Sequence, residues 1–304
     1  MIFKELGNTG ERLSAIGIGT WKLGRNTEGE KEAIAEGLRL GVNFIDTAEM
    51  YNTEELVGSA IRGRDGLFIA TKVSPHHFRY DDVIRSCSSS LAKLGLTSID
   101  LYQLHWPNKQ VPIAETMKAM ERLVKDGKIR HIGVSNFSVE ELKEAMAAMK
   151  SNDIVSNQVE YSVFVRDPQE GLVPFCAREK ISIIAYSPFA SGKMFGASRR
   201  EALETLDTIG KKYKKSAAQV ALNWLMSKKG VIPIPKAANA SHMRENAESA
   251  DFKLSKGDIG IIDRIGSNGI TPLASKANRL PKKTASLLSK LMEKREKLRA
   301  RHWI

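Results

Sequence analysis

The sequence predicts a single (β/α)8 TIM barrel that opens with a short β-hairpin and ends in a basic, helical tail. Three observations carry this. Apolar runs of strand length alternate with helix-like segments eight times over about 250 residues, the pattern of repeated βα units. The runs are apolar almost throughout, as strands are when both faces of a parallel sheet are covered. Three successive runs end on Asp46, Lys72 and His105, and in a barrel the carboxyl ends of the strands line the active face. A doubly wound open sheet is the competing architecture. It would usually carry a glycine-rich phosphate turn after its first strand, and Gly17-Ile18-Gly19-Thr20-Trp21-Lys22 does not match that fingerprint.

Taken in order, Phe3–Leu6 and Glu11–Ser14 flank Gly7-Asn8-Thr9-Gly10, which predicts a hairpin. Ala15–Trp21 reads as the first buried strand, its glycines suited to a close backbone approach. A helix then opens on a capping box, Thr27 with Glu30, and stops before Gly41. Strands at 42–46, 67–72 and 99–105 alternate with helices at 53–62, 81–94 and 113–125. Strand 129–134 precedes a helix capped by Ser138 with Glu141, ending near Lys150. Strand 154–159, helix 168–180, strand 181–186, helical stretches 198–213 and 216–229, strand 231–234 and a helix from near Ser255 complete the body. One domain, 1–274, is expected, followed by a tail, 275–304.

A composition of 42% hydrophobic and 27% charged residues is that of a soluble globular chain. No apolar run reaches the roughly 20 residues that span a bilayer, and no signal peptide opens the chain. Cys87 and Cys176 lack metal-ligand spacing and are read as reduced structural thiols, so a cytoplasmic location is expected. The net charge of +12 is concentrated in the tail, where ten basic residues face two acidic ones. The tail also places Leu287, Leu291 and Leu298 near one helical face. Packing on the barrel is its expected role, with Trp303 near the substrate site; binding of acidic lipid or nucleic acid is the alternative, and neither a membrane nor nucleic acid is the expected partner.

Period-two alternation puts Phe44 with Asp46, Ala70 with Lys72, and Gln103 with His105 on shared faces, read as the barrel interior. Tyr51 follows Asp46 by five residues. A phenol, with a reference pKa of about 10, is a weak acid at neutral pH; a neighbouring ammonium lowers that value, and a carboxylate orients the ammonium. Such a group can protonate an oxygen on which negative charge develops, with His105 polarising the same oxygen. Nothing in the sequence supplies electrons, so a reduction needs a bound hydride donor. Asp46 with Lys72 as a structural ion pair, and His105 as a satisfied core histidine, are the plainer readings of each residue alone. A barrel hydrolase would want two facing carboxylates, and Asp46 has a lysine as its evident partner.

Over residues 1–270 the chain resembles the aldo-keto reductase family. The resemblance rests on Asp46-Thr47-Ala48-Glu49-Met50-Tyr51, Thr71-Lys72, Gln103-Leu104-His105-Trp106-Pro107, Gly133-Val134-Ser135-Asn136-Phe137 and Ala185-Tyr186-Ser187-Pro188. It implies Tyr51 as general acid, Lys72 and Asp46 as its tuners, and His105 as the group orienting the carbonyl. It implies NADPH as cofactor, with NADH a weaker alternative, and no metal. Ser135, Asn136 and Gln158 would hold the nicotinamide carboxamide and Tyr186 would stack on the ring. Thr20, Trp21, Asp46 and Ser187 complete that end. Lys236 and Arg244 would meet the 2′-phosphate, and Glu245 and Asn246 the adenine. Where NADPH-preferring members commonly carry a serine and an arginine, this chain has Ala237 and His242, so two phosphate contacts are missing. The substrate is expected to be a small carbonyl compound (an aldehyde, sugar or ketone) lying among Trp21, Tyr51, His105 and Trp106. Met50 and His76 or His77 are expected nearby. The alternative is a regulatory barrel of the same family that keeps the cofactor as a binding module. The sequence does not specify the oligomeric state.

Overall fold

The structure is a computed structural model and describes residues 1–265; the predicted tail, with Trp303, lies outside them. The hairpin is present as β1 (Phe3–Glu5) and β2 (Arg12–Ser14), paired antiparallel. Eight parallel strands follow in sequential neighbour order: β3 (Ile18–Gly19), β4 (Phe44–Asp46), β5 (Phe68–Val73), β6 (Ile99–Leu104), β7 (Ile129–Ser135), β8 (Ile154–Glu160), β9 (Ser182–Tyr186) and β10 (Val231–Pro233). The described helices are α1 (Thr27–Arg39), α2 (Glu54–Ile61), α3 (Tyr80–Leu94), α4 (Ile113–Lys125), α5 (Val139–Ala148), α6 (Asp167–Glu170), α7 (Leu172–Arg178), α8 (Arg200–Tyr213), α9 (Ala217–Ser227), α10 (Ala240–Ala247) and α11 (Lys256–Ile265). This is the predicted (β/α)8 barrel.

The first and last strands close the sheet. Gly17 and Gly19 donate backbone hydrogen bonds to the carbonyls of Pro233 and Pro235 at 2.9 and 3.0 Å. A Cβ on Gly19 would lie 2.6 Å from the Ile234 carbonyl oxygen, and one on Gly17 would lie 2.5 Å from the Phe44 ring. The close approach anticipated for these glycines is therefore the barrel seam. Regular strand geometry narrows here to Ile18–Gly19, shorter than the predicted Ala15–Trp21, because the seam bonds belong to Gly17 and Gly19 with irregular backbone around them.

The core forms two shells. Inside the barrel, Phe44, Phe68, Ala70, Leu101, Ile184 and Ile232 pack together, and the hairpin inserts Leu6 and Leu13 beneath them. Outside, the opposite strand faces pack on the helices, with Ile45, Ile69, Tyr102 and Ile132 among the buried residues. Lys4 fastens the hairpin: its Nζ donates to the carbonyls of Met226, Lys228 and Val231 at 2.6, 3.0 and 2.6 Å. Burial pulls this ammonium down to about 8. Its three donors match three carbonyls, so Lys4→Met should lower the unfolding free energy by ~1–3 kcal/mol, read as a shifted urea midpoint at unchanged turnover. A midpoint equal to wild type would show that water replaces the lysine without loss.

Two helix starts differ from expectation. Asn26, not Thr27, caps α1, accepting from Gly29 N at 3.4 Å, while the Glu30 carboxylate turns back onto the N–H groups of Gly24 and Arg25 at 2.7 and 3.3 Å. Asparagine outranks threonine as a cap. The predicted helix 168–180 divides at Gly171 into α6 and α7. The division places Pro174 in the first turn of α7, where its missing N–H is not needed. The Ser138–Glu141 capping box is present, and Ser216 with Gln219 forms another on α9 that the sequence reading did not single out.

Candidate active site

The carboxyl ends of β4, β5, β6 and β8 converge on one buried carboxylate. Asp46 Oδ1 lies 2.5 Å from Lys72 Nζ, and Oδ2 accepts from Gln103 Nε2 at 3.1 Å and Gln158 Nε2 at 2.8 Å. Lys72 also donates to the Thr47 carbonyl at 2.8 Å. All four side chains are buried. Burying one charge alone is costly, so the ion pair and the amides form a unit in which each group needs the others. These residues sit one layer above Phe44, Ala70 and Leu101 on the same strands, as period two requires.

Tyr51 reaches this unit from the short 3-10 turn Glu49–Tyr51, which follows β4. Its hydroxyl is 3.3 Å from His105 Nε2, and Lys72 Nζ lies 4.9 Å from the centre of its ring. Burial, reinforced by the Asp46 charge, raises the phenol above its ordinary value. This reverses the expected lowering by Lys72, whose ammonium is engaged by Asp46 and the Thr47 carbonyl. The phenol is therefore a held proton at neutral pH. Burial lowers the Lys72 ammonium from its ordinary value, and the Asp46 carboxylate 2.5 Å away opposes that lowering. Burial and the Lys72 charge bring His105 down to about 3, so its ring is neutral at neutral pH.

Beside this centre, Asn136 stands at the end of β7 in a left-handed conformation, φ 64°, which asparagine tolerates better than most residues. Its amide donates to the His105 carbonyl at 3.0 Å and to Ser135 Oγ at 2.9 Å, and its Oδ1 accepts from Tyr186 Oη at 2.9 Å. Ser135 Oγ donates to the Gln158 carbonyl at 2.9 Å. Ser135, Asn136, Gln158 and Tyr186 thus form one connected wall next to Tyr51 and His105. Ser187 follows with φ 49° and its hydroxyl 3.3 Å from that of Ser191. Thr20 is fully buried and bonds the Asp46 carbonyl and Thr53. It braces the Asp46 strand end. Trp21 and Trp106 are 47% and 43% exposed, and Met50 is 37% exposed, so they stand as rims rather than core. His77 turns away to Glu49.

The 236–246 segment is only partly free to meet a ligand. Lys236 is exposed, and no side-chain partner is found for it among the described residues. Arg244 instead pairs with Glu36 at 2.7 Å, and Glu245 accepts from Ser216 Oγ at 2.5 Å. Asn246 is buried, as is Ala237; His242 is exposed on the first turn of α10, which Asn239 caps. The sequence reading gave no role to Gln103, although parity with His105 placed it on the interior face; the structure makes it one of two amides holding Asp46. Both cysteines are buried, their thiols pushed up to about 12, so they are inert core groups as expected. A cavity of about 530 Å³ lies at the opposite, amino end of the strands, lined by Thr9, Arg130, Ile154 and Lys180 among others. It shares no residue with the centre described above. Among the described residues, no cluster of His, Cys, Asp and Glu could hold a metal, and no helix is long and apolar enough to cross a membrane.

A buried Lys72–Asp46 pair at the carboxyl ends of barrel strands, with Tyr51 meeting His105 beside it and a polar wall that ends in Tyr186, is the setting of a barrel oxidoreductase. The aldo/keto reductase family model matches residues 15–267, and the chain belongs to that family. It is 36% identical to methylglyoxal reductase YeaE of Escherichia coli (strain K12) over 260 residues, covering 83% of this chain and 90% of that protein. It is also 36% identical to glyoxal reductase of Bacillus subtilis (strain 168) over 265 residues, covering 86% and 92%. A crystal structure of an aldo-keto reductase from Klebsiella pneumoniae in complex with NADPH matches with a TM-score of 0.82 at 33% identity, covering 89% of this chain and 98% of that one.

Proposed function

We propose that this enzyme uses NADPH to reduce small aldehydes and ketones, dicarbonyls of the glyoxal type among them, with Tyr51 as the proton donor. The observation that carries the reading is the contact of the Tyr51 hydroxyl with His105 at 3.3 Å beside a buried Lys72–Asp46 pair. The relatives named for glyoxal and methylglyoxal reduction point to the substrate class. The residues present fit the cofactor by their chemistry. Ser135, Asn136 and Gln158 supply the donors and acceptors a carboxamide needs, the half-buried Tyr186 ring offers a face to a nicotinamide, and the exposed Lys236 offers a free cation for a phosphate. Bound there, the reduced nicotinamide would supply the hydride to the carbonyl carbon.

The chain's own residues do the rest. His105, neutral, offers its Nε2 to the carbonyl oxygen and orients it against the phenol. Tyr51 gives its proton as negative charge develops on that oxygen, and Lys72 stabilises the phenolate left behind. Asp46 keeps Lys72 charged and fixed. Trp21, Met50 and Trp106 are exposed apolar side chains that would line an open mouth suited to small substrates. All four groups of the acid–base unit are in place, so we read the chain as a catalyst rather than a regulatory barrel. The cytoplasm, with its reducing conditions, suits the two buried thiols.

The cofactor assignment has a direct test. Because Arg244 is engaged by Glu36, Lys236 carries the 2′-phosphate interaction, and Lys236→Ala should weaken NADPH roughly tenfold while barely changing NADH. Fluorescence titration reads both constants. Equal weakening of both cofactors would remove Lys236 from phosphate recognition.

A further inference from the structure

Tyr51 is carried by a short turn with few fastenings of its own. The turn Glu49–Tyr51 has no side-chain cap at Ala48, and its backbone bonds are Tyr51 N to Ala48 O at 3.0 Å and Asn52 N to Glu49 O at 3.4 Å. The next residue, Asn52, is left-handed at φ 55°. A turn of this kind does not by itself fix where a phenol points. Its first residue reaches outward instead. Glu49 Oε2 accepts from the backbone N–H of Ser74 at 2.8 Å, and Ser74 lies just past the end of β5, two residues after Lys72. Glu49 Oε1 meets His77 Nδ1 at 2.8 Å and Ser86 Oγ at 3.3 Å. His77 Nδ1 and Ser86 Oγ are themselves 3.2 Å apart, so two groups meet one carboxylate oxygen while the Ser74 N–H holds the other.

We propose that Glu49 is the positioning residue for the proton donor: its carboxylate ties the turn that carries Tyr51 to the strand end that carries Lys72. Tyr51 stands on the turn after β4 and Lys72 on β5, and the Ser74 bond joins the end of β5 to that turn. The inference rests on the reading of Tyr51 as acid. A carboxylate bonded to a backbone N–H and to an imidazole N–H makes charge-assisted bonds, the strong kind, and the Glu49 side chain is 19% exposed. His77 is the exposed end of the clamp, and Ser86 fixes it to α3. Loss of the clamp leaves the tetrad intact in composition but frees the phenol to drift from His105. Misplacement by about 1 Å can cost on the order of a hundredfold in rate.

The test compares Glu49→Ala, Glu49→Gln and His77→Ala with wild type and Tyr51→Phe in the full-length enzyme. Glu49→Ala should lower kcat roughly tenfold to a hundredfold, leave the NADPH Kd and the aldehyde KM within about twofold, and raise the primary isotope effect seen with deuterated NADPH. Glu49→Gln keeps an acceptor for Ser74 and should restore most of the rate. His77→Ala, which spares the Ser74 bond, should lose less than Glu49→Ala. A Glu49→Ala enzyme with wild-type kcat overturns the proposal, as does a loss that Glu49→Gln fails to restore or that appears equally in NADPH binding. Should Glu49→Ala fail to fold, Glu49→Asp carries the test, because it keeps the charge and shortens the reach; wild-type turnover there overturns the proposal. An active Tyr51→Phe would sink the acid assignment itself, whereas an inactive Tyr51→Phe beside a fully active Glu49→Ala would sink only the clamp.

Discussion

Tyr51→Phe should lose about 10²–10⁴-fold in carbonyl reduction while binding NADPH almost as well as wild type. The substitution removes one oxygen and leaves the ring against Lys72 and His105, whose ring centre stands 5.3 Å from that of Tyr51 in an edge-on arrangement. Packing is therefore spared and the proton is lost. Burial and Asp46 hold the phenol protonated, so wild-type enzyme keeps the donor loaded across neutral pH. Neutral His105 is no substitute, since giving up a proton from an uncharged imidazole is unfavourable at neutral pH. A Tyr51→Phe enzyme retaining a third of the wild-type rate, with chemistry limiting, would rule out the assignment.

Asp46→Asn should be the most destabilising change at the site. Lys72 would remain buried without its counter-charge, and breaking one side of a buried pair typically costs about 3–5 kcal/mol. The amide adds a second conflict. Asp46 Oδ2 receives two donors, from Gln103 and Gln158, and an asparagine N–H₂ placed there would face donor against donor. Turning the asparagine over moves the same conflict onto Lys72. Urea unfolding reads the loss, and adding Lys72→Met to Asp46→Asn should recover part of it by removing the stranded charge. A single variant within about 1 kcal/mol of wild type would show that water enters and solvates the lysine.

The strand ends were legible because two short-range rules agree there. Apolar runs set the strands, and period two set which residues share the interior, so Asp46, Lys72 and His105 could be placed on one face without a structure. The wall of Ser135, Asn136, Gln158 and Tyr186 came from the family resemblance, and the hydrogen bonds that join them were not readable from either source. Gln158 lies 112 residues from Asp46, and nothing local announces that its amide crosses the barrel to that carboxylate. Glu49 was hidden for the opposite reason. A glutamate on a turn is usually solvated, and only the fold brings Ser74, His77 and Ser86 around it. The Glu36–Arg244 pair likewise joins α1 to α10, elements separated by the whole barrel in sequence. At Gly171 the helix pattern overran a boundary because apolar spacing continues across the glycine where α6 ends and α7 begins.

The central claim is hydride delivery to a carbonyl carbon coupled to protonation by Tyr51. Its most direct measurement uses NADPH carrying deuterium at the transferable position of the nicotinamide, with methylglyoxal or glyoxal as substrate and mass spectrometry of the alcohol formed. One deuterium should appear on the carbon of the new hydroxyl for each NADPH oxidised by wild-type enzyme, and Tyr51→Phe should form almost none of this product. Oxidation of NADPH without label on that carbon, or labelled product at an undiminished rate from Tyr51→Phe, would contradict the account.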